Sequence, residues 1–109
     1  MINFNGEVWG VLLVSPNHPQ LQRADGSWTI GACDNNIKTI YVSDNLDLFM
    51  QKKVLSHELT HAAMFSYNID LSLEQEELLA DLVATYGREI VCKANSFFTR
   101  IKENREAFC

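Results

Sequence analysis

Residues 57–61 read His-Glu-Leu-Thr-His, and no other stretch constrains the fold of this chain so tightly. On an α-helix, positions four apart share a face with Cβ atoms about 5–6 Å apart. His57 and His61 can then aim two imidazole nitrogens at one cation about 2.0–2.1 Å away. Glu58, one position on and turned by about 100° around the helix axis, can reach a water at that cation without being a ligand itself. H-E-x-x-H on a helix is the ligand pair and general base of a zinc hydrolase, so Zn²⁺ is the expected cofactor. The competing reading makes the two histidines ordinary helix residues and Glu58 a solvated or ion-paired carboxylate.

A chain of 109 residues with 47% hydrophobic content is expected to form a single domain, residues 1–109, with room for one core. Its formal charge of −5 argues against nucleic acid as a partner, because phosphate binding relies on clustered Lys and Arg. Arg88, Lys93, Arg100, Lys102 and Arg105 do fall late, but Glu89, Glu103 and Glu106 are mixed among them, as on a solvated helix face. The longest apolar run, Val8 to Val14, is far short of a membrane span, and no basic segment precedes it. The expectation is a cytoplasmic protein without a membrane partner. Cys33, Cys92 and Cys109 are odd in number and lack C-x-x-C spacing, which fits structural thiols better than disulfides or a cysteine metal site.

The pattern of apolar residues divides the chain near residue 43. Residues 1–42 are β-rich: Glu7 to Val14 reads as a strand, Asp25-Gly26 as a turn ahead of a strand from Ser27 to Cys33, and Asp34-Asn35-Asn36 as a turn into Ile37 to Val42. Ser15 to Gln20 holds both prolines and reads as an irregular connection. Residues 43–109 are helical. Between Asp47, a plausible N-cap, and Tyr67, one stripe carries Met50, Val54, His57 and His61 and the opposite one Leu48, Leu55, Leu59 and Ala62. Such a helix is expected to be covered on two sides. Asn68 to Leu71 interrupts the pattern, and Ser72-Leu73-Glu74-Gln75 has the form of a capping box that opens a second helix. Its apolar series runs past Gly87, which leaves one long helix or two, with Gly87 and Ala94-Asn95-Ser96 as candidate breaks. The expected fold is α+β: a small antiparallel β-meander of about three strands, packed on the active-site helix and one or two further helices.

A catalytic zinc usually has three protein ligands and an open position, so a third donor is needed. His18 lies in the proline-flanked loop. Glu76, Glu77 and Asp81 sit early in the second helix, which folds back on the first after a short connection. In helical projection Glu77, Ala80, Asp81 and Ala84 share a face away from Leu78, Leu79, Leu82 and Val83, and the alanines allow a neighbouring backbone to come close. Glu77 is therefore the preferred ligand, with Glu76 and His18 as alternatives. Asp81, one turn on, can accept the free N–H of a ligating imidazole. Acidic residues near a helix start also suit its dipole, so this cluster gains meaning only from following H-E-x-x-H.

Lys38-Thr39-Ile40-Tyr41-Val42 before the histidine helix, His57-Glu58-Leu59-Thr60-His61, and Glu77-Leu78-Leu79-Ala80-Asp81 with Ala84 together resemble gluzincin-type zinc metallopeptidases. Within these the chain is similar to the compact ImmA/IrrE-like family of phage and mobile-element proteins, whose third word is E-x-x-A-N/D-x-x-A. Thr60 stands where many relatives have Gly, and Asp81 where many have Asn. SprT-like metallopeptidases share a similar strand and the histidine word, and the Glu77 to Asp81 word separates the chain from them. The resemblance implies a protein substrate, such as a regulatory repressor. In this expectation His57, His61 and Glu77 hold the metal and Glu58 moves the proton. An extended peptide adds to the edge of the Ile37 to Val42 strand, at Ile40 and Tyr41. Tyr41, Tyr67, Tyr86, His18 and Arg88 are candidates for stabilising the oxyanion. The alternative is a non-catalytic zinc-binding module that acts by contact, as a regulatory or immunity-type protein; an intact Glu58 favours catalysis.

Overall fold

The computed structural model describes the backbone of residues 1–102 and side chains as far as Thr99. Glu103, Arg105, Glu106 and Cys109, and the side chains of Arg100, Ile101 and Lys102, lie outside the described residues. The α+β class holds, and the sheet differs from the expected meander: it has four strands and is mixed. β1 (Ile2–Phe4) and β2 (Glu7–Val14) form an antiparallel hairpin. Its two-residue loop, Asn5-Gly6, has φ of 53° and 83°, the left-handed pair that matches the twist of a tight hairpin. β3 (Gly31–Asp34) and β4 (Thr39–Ser43) pair antiparallel, β2 and β4 pair parallel, and the order across the sheet is β1-β2-β4-β3.

Burial explains why β4 leaves the edge that a meander would give it. Ile40, Val42 and Ser43 are essentially inaccessible and Tyr41 nearly so, which places this strand in the centre beside β2 and its buried Trp9. A parallel neighbour needs a long crossover. The connection after β2 supplies it through a 3₁₀ turn at Pro19–Leu21 and a tight loop closed by the Gln22–Trp28 bridge, which carries the chain to the far edge before β3 begins. The strand expected from Ser27 is therefore shorter and pairs only from Gly31 onward.

α1 (Leu48–Ser66) starts where Asp47 accepts the Met50 N–H at 2.8 Å. It ends where Asn68, at φ 55°, turns the chain and Ile69 N–H reaches Met64 O at 2.9 Å. As expected, it is covered on two sides, by the sheet on one and by α2 (Leu73–Leu82) with the turn that follows on the other. Trp9, Ile40, Val42, Val54 and Ala62 form the core on the sheet side. The indole N–H of Trp9 donates to the buried Ser66 hydroxyl at 2.8 Å, so this large ring is buried with its polar atom satisfied. Leu48, assigned to a buried stripe, is exposed in the first turn.

The capping box at Ser72 and Gln75 is present. α2 then runs through a π turn, Val83–Gly87, into α3 (Arg88–Lys102), with right-handed helical backbone at Leu82 and Arg88. One continuous helical rod results, and neither Gly87 nor Ala94-Asn95-Ser96 breaks it. Its inner face is the small one: Ala80 is fully buried, while Leu78 and Leu82 face solvent. Among the described residues no helix is long and apolar enough to cross a membrane.

Candidate metal centre and cleft

The fold-back of α2 brings three donors from two helices to one point. His57 Nε2 and His61 Nε2 are 3.2 Å apart, and the Glu77 carboxylate lies 3.2 Å from the first and 3.4 Å from the second. Tetrahedral zinc with bonds of roughly 2.0–2.1 Å holds its donors about 3.3 Å from one another, so the spacing already suits that ion. The opposite face of each ring strengthens the fit. His57 Nδ1 is 3.0 Å from Asp81 Oδ1, and His61 Nδ1 is 2.6 Å from Glu76 Oε1. The carboxylates accept at Nδ1, which turns both Nε2 atoms toward the Glu77 carboxylate. Two imidazole nitrogens and a carboxylate then converge on one point, an arrangement that could hold a cation. Among the described residues this is the group whose geometry can hold one.

The sequence-derived residues are thus placed unequally. His57, His61 and Glu77 come together, and Asp81 stands behind the first ring. Glu76, weighed as an alternative ligand, is instead the mostly buried acceptor that orients His61, a position that follows from its offset of about 100° from Glu77. His18 is elsewhere: its ring lies 5.4 Å from that of Tyr41, and its Nδ1 accepts the Gln20 N–H.

Glu58 is the most enclosed acid of the group. Burial raises its pKa above the ordinary carboxylate value, His57 and His61 pull it back down, and Glu77 adds to the rise. The backbone of β3 closes over it. A Cβ on Gly31 would lie 2.5 Å from Val54 Cγ1 and 3.1 Å from Glu58 Oε2, so only glycine lets the strand come this near. Two positions on, the Cys33 thiol is pushed up to about 12, first by burial and then by Glu58, Asp34 and Glu76, which keeps it protonated and unsuited to metal binding or attack.

Ile40 and Tyr41 do not form a substrate edge. They are buried in β4, whose two sides are taken by β2 and β3. The sheet edges are β1 and β3, and the one beside the metal cluster is β3. Ser43 N–H donates to Ile30 O, so in the alternating antiparallel ladder Gly31 and Cys33 turn their backbone groups outward. The Thr29 hydroxyl donates to Gly31 O at 3.2 Å, which leaves the Gly31 N–H and the Cys33 N–H and C=O without a partner from β4. Two hollows of about 410 and 300 Å³ open along this edge and share a wall containing Gly31, His57, Glu58 and Glu77.

Tyr41, Tyr67, Tyr86, His18 and Arg88 line neither hollow, whereas Arg23 lines both. The tight loop before β3 brings Arg23 there, and its sequence neighbours carry no motif that marks it.

The family model described as the IrrE N-terminal-like domain, of the peptidase M78 family, matches residues 15–97. No curated protein and no solved structure gives a significant match. The match takes in both histidines, Glu58 and all three acids of α2, and a pattern spanning most of the chain is much more specific than the pentapeptide alone. The chain belongs to the peptidase M78 family, through its IrrE N-terminal-like domain.

Proposed function

We propose that this protein is a zinc-dependent peptidase that hydrolyses a peptide bond in an extended segment of another protein, a regulatory protein such as a repressor being the substrate that fits the family best. The observation that carries the reading is the convergence of His57 Nε2, His61 Nε2 and Glu77 beside the buried Glu58, at the free edge of β3. Zinc held by these three side chains supplies Lewis acidity to the attacking water and to the scissile carbonyl. The chain's own groups do the rest. Glu58 accepts the water proton and returns it to the leaving amine. Asp81 and Glu76 hold the imidazoles in the tautomer that presents Nε2. The outward backbone groups of Gly31 and Cys33 bind the substrate main chain as an added strand.

A purely structural site would be closed by a fourth protein donor. Among the described residues the cluster has three, which supports catalysis over a contact-only module. The test is one experiment on purified, zinc-loaded protein with a proteome-derived peptide library, read by mass spectrometry. Glu58→Gln keeps one zinc per chain and loses about 10²- to 10⁴-fold in cleavage rate, whereas Glu77→Ala loses the zinc. Undiminished cleavage by Glu58→Gln refutes the proposed role of Glu58.

A further inference from the structure

The two hollows beside Glu58 differ in chemistry, and the difference follows from helical offsets. The larger one is mixed, lined by Gln20, Gln22 and Glu76 together with Phe65 and Leu73. The smaller one lies toward the start of β3 and is lined by Ile30, Met50, Val54 and Ala84. Met50 and Val54 precede His57 by seven and three positions, on the helix face that carries the ligand. Ala84 follows Glu77 by seven and Asp81 by three, from within the π turn. Ile30 immediately precedes β3 and is 43% exposed. The helical segments that carry the ligand candidates therefore also supply an apolar floor one to two turns away. Arg23, Lys53 and Asp81 stand at the same hollow, and Asp81 is already engaged by His57.

We propose that this smaller hollow is a specificity pocket that takes a large apolar side chain of the substrate, Leu, Ile, Met or Phe, from the residue beside the cleaved bond. The proposal rests on the peptidase reading and adds what the enzyme selects. A peptide strand laid along Gly31 and Cys33 alternates its side chains across the edge, so one residue next to the bond held over Glu58 points toward Ile30 and Val54. Its apolar surface displaces water from Ile30 and Met50, side chains that have no polar atom able to bind the water they lose. The methyl group of Ala84 sets the depth. A larger residue there reduces the volume of the hollow, whose wall also holds His57 and Glu77, so the zinc content of such a variant is measured beside its cleavage pattern. Pockets of this kind discriminate by filled volume, so loss of most of the side chain to Ala lowers kcat/KM by about 10- to 100-fold.

The test has two arms, both on zinc-loaded full-length chain. In the first, cleavage sites from the peptide library are aligned. One position flanking the cut is enriched in Leu, Ile, Met or Phe, and Ala84→Phe shifts the enrichment toward Gly and Ala at unchanged zinc content. Cleavage with no apolar enrichment, or with the same enrichment in Ala84→Phe, overturns the pocket while leaving the peptidase standing. In the second arm, Glu58→Gln protein is titrated with peptide pairs that differ only by Leu or Gly at one position, with the Ile30 and Met50 methyl signals followed by NMR. Those methyls shift with a Leu peptide and much less with its Gly counterpart. Absence of any such difference overturns the pocket even where no peptide is cleaved, the result that would count against the peptidase reading itself.

Discussion

The two sides of α1 are packed by opposite means. Toward the sheet, Trp9, Ile40, Val42, Val54 and Ala62 interlock with almost no solvent contact, and the polar atom of the indole is satisfied by Ser66. Toward α2, the contact is made by Ala80 and by five ionisable side chains, His57, His61, Glu76, Glu77 and Asp81, while Leu78 and Leu82 of the same helix face water. The sheet side derives its stability from removal of apolar surface. The helix side gathers two imidazoles and three carboxylates around a point that could hold a cation. In this domain the folding energy and the chemistry are thus divided between the faces of one helix, and α2 is the element whose docking depends on the site.

The largest way to probe the division is Trp9→Ala. It removes the buried ring and strands the Ser66 hydroxyl, at a cost of about 3–5 kcal/mol, a large part of the stability of a small domain. Chemical denaturation is expected to show the whole chain weakened, including the site it does not touch. Chelation should act on the other face. Withdrawing zinc at a thousandfold excess over its Kd removes about 4 kcal/mol of linked stability. Amide exchange then accelerates in residues 73–82 well before it does in β2 and β4. Equal acceleration in both regions would break the comparison.

Gly31 lies where the two faces meet, and Gly31→Ala tests both at once. The new methyl collides with Val54 and crowds Glu58, so about 1–3 kcal/mol of stability is lost through overpacking, with cleavage reduced at unchanged zinc content. The smallest expected effect is that of Glu76→Ala. It frees His61 Nδ1 and lowers zinc affinity about 10- to 100-fold, measured by competition with a chelator, with little change in the denaturation of the sheet.

Much of the site could be read along the chain, because a helix fixes its own geometry. The spacing of His57 and His61, the offset of Glu58, and the shared face of Glu77 and Asp81 all follow from 3.6 residues per turn. The same offset that made Glu77 the preferred ligand candidate puts Glu76 behind His61, but which ring it meets depends on how α2 crosses α1. The first hairpin was readable and missed: Asn5-Gly6 is a strong turn signal, hidden because the strand before it has three residues. The strand order was not readable. Ile40 and Tyr41 have the alternation of an edge as much as of a centre, and only the long crossover through Pro19–Leu21 makes β4 the parallel neighbour of β2.

Sequence by itself determined the local chemistry: which side chains share a helix face, where Asp47 and Ser72 begin the helices, and that a metal-binding pair needs a third donor. The tertiary structure alone decided that β3 is the edge beside the site, that Gly31 closes over Glu58, and that Arg23 reaches the cleft from a distant loop. The physical reason is range. Helical periodicity and capping act over a few residues and are written in their order, whereas edges, close approaches and hollows exist only between segments whose separation in sequence carries no record of their meeting.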